Sequence, residues 1–217
     1  MNTLTAARKK TLIEKIFVQS NFPARFFEVE EKDIAAFGVN EKERDFNAKA
    51  LKTFFSYLEK LEDNLRKGNS LAICGGAGLG KTRLLSYLGR RCIELFIDEV
   101  TGKDTMTLRR QACFILASEL SDLTFNRNDP LRQHLFHVHV LVIDDITKLV
   151  PFKGGQEVVF LDRILRTRYH NRLPTFLTSQ YPFEKLNEAL SEPIFDLLYE
   201  MAITVTLVGD SFRRVAQ

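Results

Sequence analysis

The octet Gly75-Gly76-Ala77-Gly78-Leu79-Gly80-Lys81-Thr82 constrains this chain more than any other stretch, because it demands a particular local fold on each side of it. Glycines let consecutive backbone N–H groups turn toward an anion without a Cβ clash, and a helix starting where the loop ends adds its positive N-terminal end. The flanks comply. Leu71-Ala72-Ile73-Cys74 reads as a buried strand, while Leu84, Leu85, Leu88, Cys92, Leu95 and Phe96 trace one helical face. In that setting the octet and Arg83 after it would wrap nucleotide phosphates, with Lys81 on the terminal phosphates and Thr82 on Mg²⁺. A glycine-rich turn that happens to carry Lys-Thr is the plainer alternative, and the strand and helix around it count against that.

A second acidic element follows at Leu141-Val142-Ile143-Asp144-Asp145, an apolar strand ending in two carboxylates at the expected ligand-binding edge of a sheet. Asp144 is placed to support Mg²⁺ through its water shell, and Asp145 to polarise an attacking water. Alone, an Asp-Asp pair at a strand end reads as a solvated turn. Downstream of a phosphate loop it reads as chemistry.

Further strand patterns at 112–116, 138–143, 175–178 and 203–208 alternate with helical ones, which argues for an α/β domain with a parallel sheet covered on both faces. Before the loop, Leu12, Ile13, Ile16 and Phe17 give a short amphipathic helix within Thr3 to Phe17, broken around Pro23. A second helix is expected from Phe46 to Leu65, ended by Gly68-Asn69. Residues 98–110 fit an exposed loop or a short hairpin. Between Gln156 and Asn171 a helix carries Arg163, Arg166 and Arg168, with Arg172 just beyond; this basic face could follow a phosphate backbone, or be a solvated face partly neutralised by Glu157 and Asp162.

Composition adds limits. A net charge of +3 neither demands nor excludes a nucleic-acid partner. No signal-like segment and no membrane-length apolar run is present, so a soluble cytoplasmic protein without a membrane partner is expected. Cys74, Cys92 and Cys113 lack zinc-site spacing and read as reduced core residues; His134, His137, His139 and His170 read as surface or structural histidines. The 18 phenylalanines, with no Trp, are assigned to packing.

The octet, Leu141 to Asp145, a strand ending Leu177-Thr178-Ser179-Gln180 and the tail from Ile203 through Gly209-Asp210-Ser211-Phe212-Arg213-Arg214 together resemble an AAA+ ATPase of the DnaC-like helicase-loader and IstB-like transposition-helper group. The resemblance covers about Ser20 to Arg214. It implies a P-loop NTPase fold with an AAA+ core over 46–217 and no C-terminal helical lid domain, nucleotide closure falling to the core and neighbouring subunits. Residues 1–45 would be a partner-binding, adenine-proximal segment, with an aromatic of Phe22 to Phe27 near the base. It implies ATP and Mg²⁺ as ligands, head-to-tail homo-oligomers, and a replicative helicase or a transposase as partner on DNA, single-stranded DNA in particular. The γ-phosphate sensor, commonly Asn, falls at Gln180, with Thr178 and Ser179 as neighbouring candidates. Where relatives carry an arginine finger this chain has Leu197, so Arg213 and Arg214 become the candidate replacements and slow hydrolysis is expected. The implied activity is that of a loader or helper ATPase for a replicative helicase. The alternatives are a transposition helper, or an ATP-gated adaptor with little turnover.

Overall fold

In the computed structural model, described over residues 5–99, 111–152 and 155–211, five strands of five residues each form one sheet. They are β1 (Ser70–Cys74), β2 (Ala112–Leu116), β3 (Val140–Asp144), β4 (Thr175–Ser179) and β5 (Ala202–Thr206), all parallel, in the order β2-β3-β4-β1-β5. In β1, β3 and β4 every residue is buried, as parallel strands covered on both faces must be. Successive side chains alternate between two cores: Leu71, Ile73, Val140, Val142 and Phe176 enter one, Ala72, Cys74, Leu141, Ile143 and Leu177 the other.

The first core is roofed by α1 (Ala6–Gln19), α2 (Glu41–Glu59), α3 (Leu61–Lys67) and α4 (Lys81–Glu99). The second is covered by α5 (Glu119–Phe125), α6 (Pro130–His137), α7 (Gln156–His170) and α8 (Glu192–Met201). All three cysteines are buried, as expected, and burial pushes the Cys74 and Cys113 thiols up to about 12. No helix among the described residues is long and apolar enough to cross a membrane.

Three local expectations need correction. The helix expected over 46–65 starts at Glu41, because the Asn40 side chain accepts the Glu43 N–H at 3.0 Å and caps it. It then breaks at Lys60, where the Asn64 side chain donates to the Tyr57 carbonyl at 2.9 Å. The boundary drawn between 45 and 46 therefore falls inside α2. The N-terminal segment, moreover, is part of the fold: Phe17 stacks on Phe22 with ring centroids 4.9 Å apart, Phe22 meets Phe114 of β2 at 5.4 Å, and the Phe114 N–H donates to the Ser20 carbonyl at 2.8 Å. Residues 100–110, most of the stretch read as loop or hairpin, lie outside the described residues.

Candidate functional site

The loop after β1 is shaped by two glycines that no other residue could replace without displacement. Gly75 has φ 135°, and a Cβ there would lie 2.2 Å from the Leu207 carbonyl oxygen beyond β5. Gly78 has φ 80°, and its Cβ would lie 1.9 Å from Ser211 Oγ. Leu79 is buried and pins the loop to the first core. Lys81 opens α4 and is itself buried, its ammonium donating to the carbonyls of Gly75 and Gly76 at 2.7 and 2.6 Å. A 19-residue helix thus points its N-terminus into the loop, the arrangement that favours an anion.

Beside it, the ends of β3 and β4 present a hydrogen-bonded group of side chains. Thr82 Oγ1 donates to the Asp144 carboxylate, 2.9 Å from Oδ2 and 3.1 Å from Oδ1. Thr178 Oγ1 donates to Asp144 Oδ1 at 2.6 Å and accepts the Asp145 N–H at 2.7 Å. Asp145 is in the left-handed region at φ 61°, which turns it out of the strand direction. Its Oδ2 accepts from Gln180 Nε2 at 2.6 Å, and its Oδ1 from Thr147 Oγ1. Ser179 shapes the turn that follows, its Oγ accepting the Tyr181 N–H at 2.9 Å. The sequence had marked Lys81, Thr82, Asp144, Asp145 and Gln180, and all five converge here. Thr147 carried no sequence signal. Thr178 had one, as a neighbouring candidate for the γ-phosphate sensor.

The oxygen set suits Mg²⁺. Thr82 and Asp144 converge as hard oxygen donors, and among the described residues no group of three or more His, Cys, Asp or Glu forms a closed cage. An ion that keeps waters and takes phosphate oxygens fits such a half-site. His139, one of the four histidines, stacks edge-on against Phe96 at 5.1 Å.

Other expectations fare differently. Arg213 and Arg214 lie outside the described residues. The tail leading to them does reach the loop: the Leu207 N–H donates to the Cys74 carbonyl at 2.8 Å, and Ser211 lies against Gly78. Of the aromatics in the segment expected near the base, Phe22 and Phe27 are buried in the first core and Phe26 is half-buried against it, while Phe37 lies beside Gly209 of the tail. Leu197 is buried in the second core, so its position is one of packing.

The basic face of α7 is also smaller than its sequence. Arg168 is 0% exposed, and its guanidinium spends all five donors internally, on Thr175 Oγ1 and on the carbonyls of Leu135, Val138, His139 and Pro174 at 2.7–3.2 Å. Burial draws its pKa down to about 9. Arg166 is paired with Asp162 at 2.9 Å, and Glu157 is buried beside Ser121. Of the four arginines, Arg163 and Arg172 remain exposed without a counter-charge partner among the described ion pairs.

No protein-family model matches the chain. An insertion-sequence ATP-binding protein of Sinorhizobium fredii is 30% identical over 151 residues, covering 67% of this chain and 57% of that protein. The chromosomal replication initiator protein DnaA of Cutibacterium acnes is 35% identical over 122 residues, 56% of this chain and 23% of that protein. The chain thus spans little more than half the length of the first relative and about a quarter of the second. Among solved structures, the DnaC helicase loader aligns with a TM-score of 0.62 at 17% identity, over 84% of this chain and 98% of that one. A protein described as a primosome component, from Streptococcus pyogenes serotype M3, aligns with a TM-score of 0.61 at 21% identity, over 90% and 96%. The architecture is that of the P-loop AAA+ core, as the sequence motifs implied.

Proposed function

We propose that this chain, with an AAA+ P-loop core and an insertion-sequence ATP-binding protein among its relatives, is an ATP-dependent switch that loads or regulates a replicative helicase on DNA. The observation that carries the nucleotide part is the convergence of Lys81, Thr82, Asp144, Asp145 and Gln180 on one end of the sheet. Residues 75–82 would cradle the phosphates, with Arg83 behind them; Lys81 would exchange its carbonyl partners for terminal phosphate oxygens, and Thr82 and Asp144 would hold Mg²⁺. When bound, the ion neutralises charge on the phosphate oxygens. Asp145 would orient a water and accept its proton, and Gln180, already on Asp145, would register the terminal phosphate.

Equilibrium binding of a fluorescent ATP analogue and phosphate release test this directly. Lys81→Ala should abolish binding, and Asp145→Asn should keep binding while lowering turnover roughly a hundredfold or more, as loss of a positioned base does. A wild-type chain that binds no ATP overturns the reading. Buried Leu197 supplies no positive charge, which favours slow turnover, with Arg213 of a neighbouring copy as the residue to test for a trans contribution in a homo-oligomer.

The Sinorhizobium relative supports a second reading, a helper ATPase for a transposase. Capture from the native host, probed for a replicative helicase and for a transposase, decides between the two. Turnover measured with and without single-stranded DNA separates an active loader from an ATP-gated adaptor. The site of action would be the cytoplasm, and the N-terminal 45 residues are the candidate partner surface.

A further inference from the structure

We infer that Thr178 is a positioning residue of the nucleotide site: one hydroxyl that fixes both carboxylates at the end of β3. The inference rests on the ATP–Mg²⁺ reading above. A threonine hydroxyl has one proton and two lone pairs. The Asp145 N–H, 2.7 Å away, can only donate, so Thr178 Oγ1 accepts there and its own proton is committed to Asp144 Oδ1 at 2.6 Å. The bonds therefore run in one direction, from the Asp145 amide through Thr178 to the Asp144 carboxylate, which Thr82 reaches from its other side.

Two consequences follow for the site. The Asp144 carboxylate is held between two hydroxyls, Thr82 toward the loop and Thr178 behind it, so its orientation toward a metal half-site depends on both. Asp145 leaves the strand in a left-handed conformation, uncommon for a residue with a side chain, and the Thr178 oxygen satisfies the amide this turn takes out of the ladder. The β3–β4 register runs to Ile143 opposite Leu177, and the Thr178 side chain takes over one position later. That turn is what brings the Asp145 carboxylate to Gln180 and Thr147. Thr178 is 1% exposed, so water cannot substitute for the hydroxyl.

The test uses the full chain and the variants Thr178→Val, which keeps the shape without the hydroxyl, and Thr178→Ser, which keeps the hydroxyl. Affinity for a fluorescent ATP analogue is titrated in EDTA and over a range of Mg²⁺, beside single-turnover hydrolysis and thermal melting. For Thr178→Val the affinity in EDTA should stay within about twofold, the Mg²⁺ needed should rise roughly tenfold, and turnover should fall roughly ten- to hundredfold, the loss expected for a buried bond to a charged group. Thr178→Ser should restore both to within about threefold. If Thr178→Val does not fold, Thr178→Ala carries the same expectation. A valine or alanine variant that titrates Mg²⁺ like the wild type overturns the inference, and so does a serine variant as impaired as valine. Failure of the wild type itself to bind ATP sinks the nucleotide reading and this one with it, an outcome distinct from both.

Discussion

Asp145 is a short carboxylate and Gln180 a long amide, and their side chains meet at 2.6 Å across the gap between β3 and β4. Asn has one methylene less than Gln, so on this backbone an Asn in its place would fall short of the carboxylate. Gln180→Asn should therefore leave ATP affinity near wild type and reduce turnover roughly tenfold, the worth of one hydrogen bond to a charged acceptor. Binding and phosphate-release assays on the same preparation check it, and unchanged turnover would remove Gln180 from the mechanism. At this scale the sequence is informative where one residue type has one use. The glycines, Lys81, Thr82 and the paired aspartates were legible because their chemistry and spacing point to a phosphate loop and its acidic strand. Thr147 was not, and Thr178 was legible only as a neighbour of the sensor position, because a hydroxyl in or beside a strand is ordinary, and only the neighbours found in three dimensions give it a direction.

Elements were legible in kind and less so in extent. The five strands were recognised because apolar runs bounded by polar turns survive any small shift of register, although β3 includes Asp144 and β5 ends at Thr206. The start of α2 depends on one cap at Asn40, separated by five polar residues from the first apolar position, Phe46, so apolar periodicity placed it late. The arginine row on α7 misled for a related reason: helical spacing tells which residues share a face, and Arg168 is at a buried angle of it. Its guanidinium ties the C-terminal end of α6 to the starts of β3 and β4. Arg168→Ala would leave four backbone carbonyls and the Thr175 hydroxyl short of a donor. A loss of about 3 kcal/mol or more is expected in urea unfolding, while salt-dependent DNA binding, if Arg163 and Arg172 carry it, should persist in the folded fraction. A surface role for Arg168 predicts the reverse, unchanged stability with weakened binding.

Across the whole molecule, the N-terminal segment and the C-terminal tail meet at one buried amide. Asn47 of α2, 0% exposed, donates to the carbonyls of Phe37 and Val208 at 2.7 and 2.8 Å and accepts the Val208 N–H at 2.9 Å. The tail it holds is the one whose Leu207 carbonyl lies over Gly75 and whose Ser211 lies against Gly78. Residues 5–45 consequently belong to the same packed body as the phosphate loop, and a partner that engages them acts on a surface linked to the loop through α2 and the tail. Asn47→Leu keeps the volume and removes all three bonds, leaving the half-buried Val208 N–H and the carbonyls of Phe37 and Val208 without their partner. Each unsatisfied buried group costs about 1–3 kcal/mol, so chemical denaturation should show a loss of at least about 2 kcal/mol. ATP affinity should fall more than that loss alone explains when measured well below the unfolding transition, because the tail backing the two glycines is released. Asn47→Asp, which keeps the acceptor for Val208 but sets a carboxylate oxygen against the carbonyls of Phe37 and Val208, should be at least as damaging as leucine in both measurements. Nucleotide affinity equal to wild type in the folded leucine variant would mean that the tail braces the fold without shaping the loop.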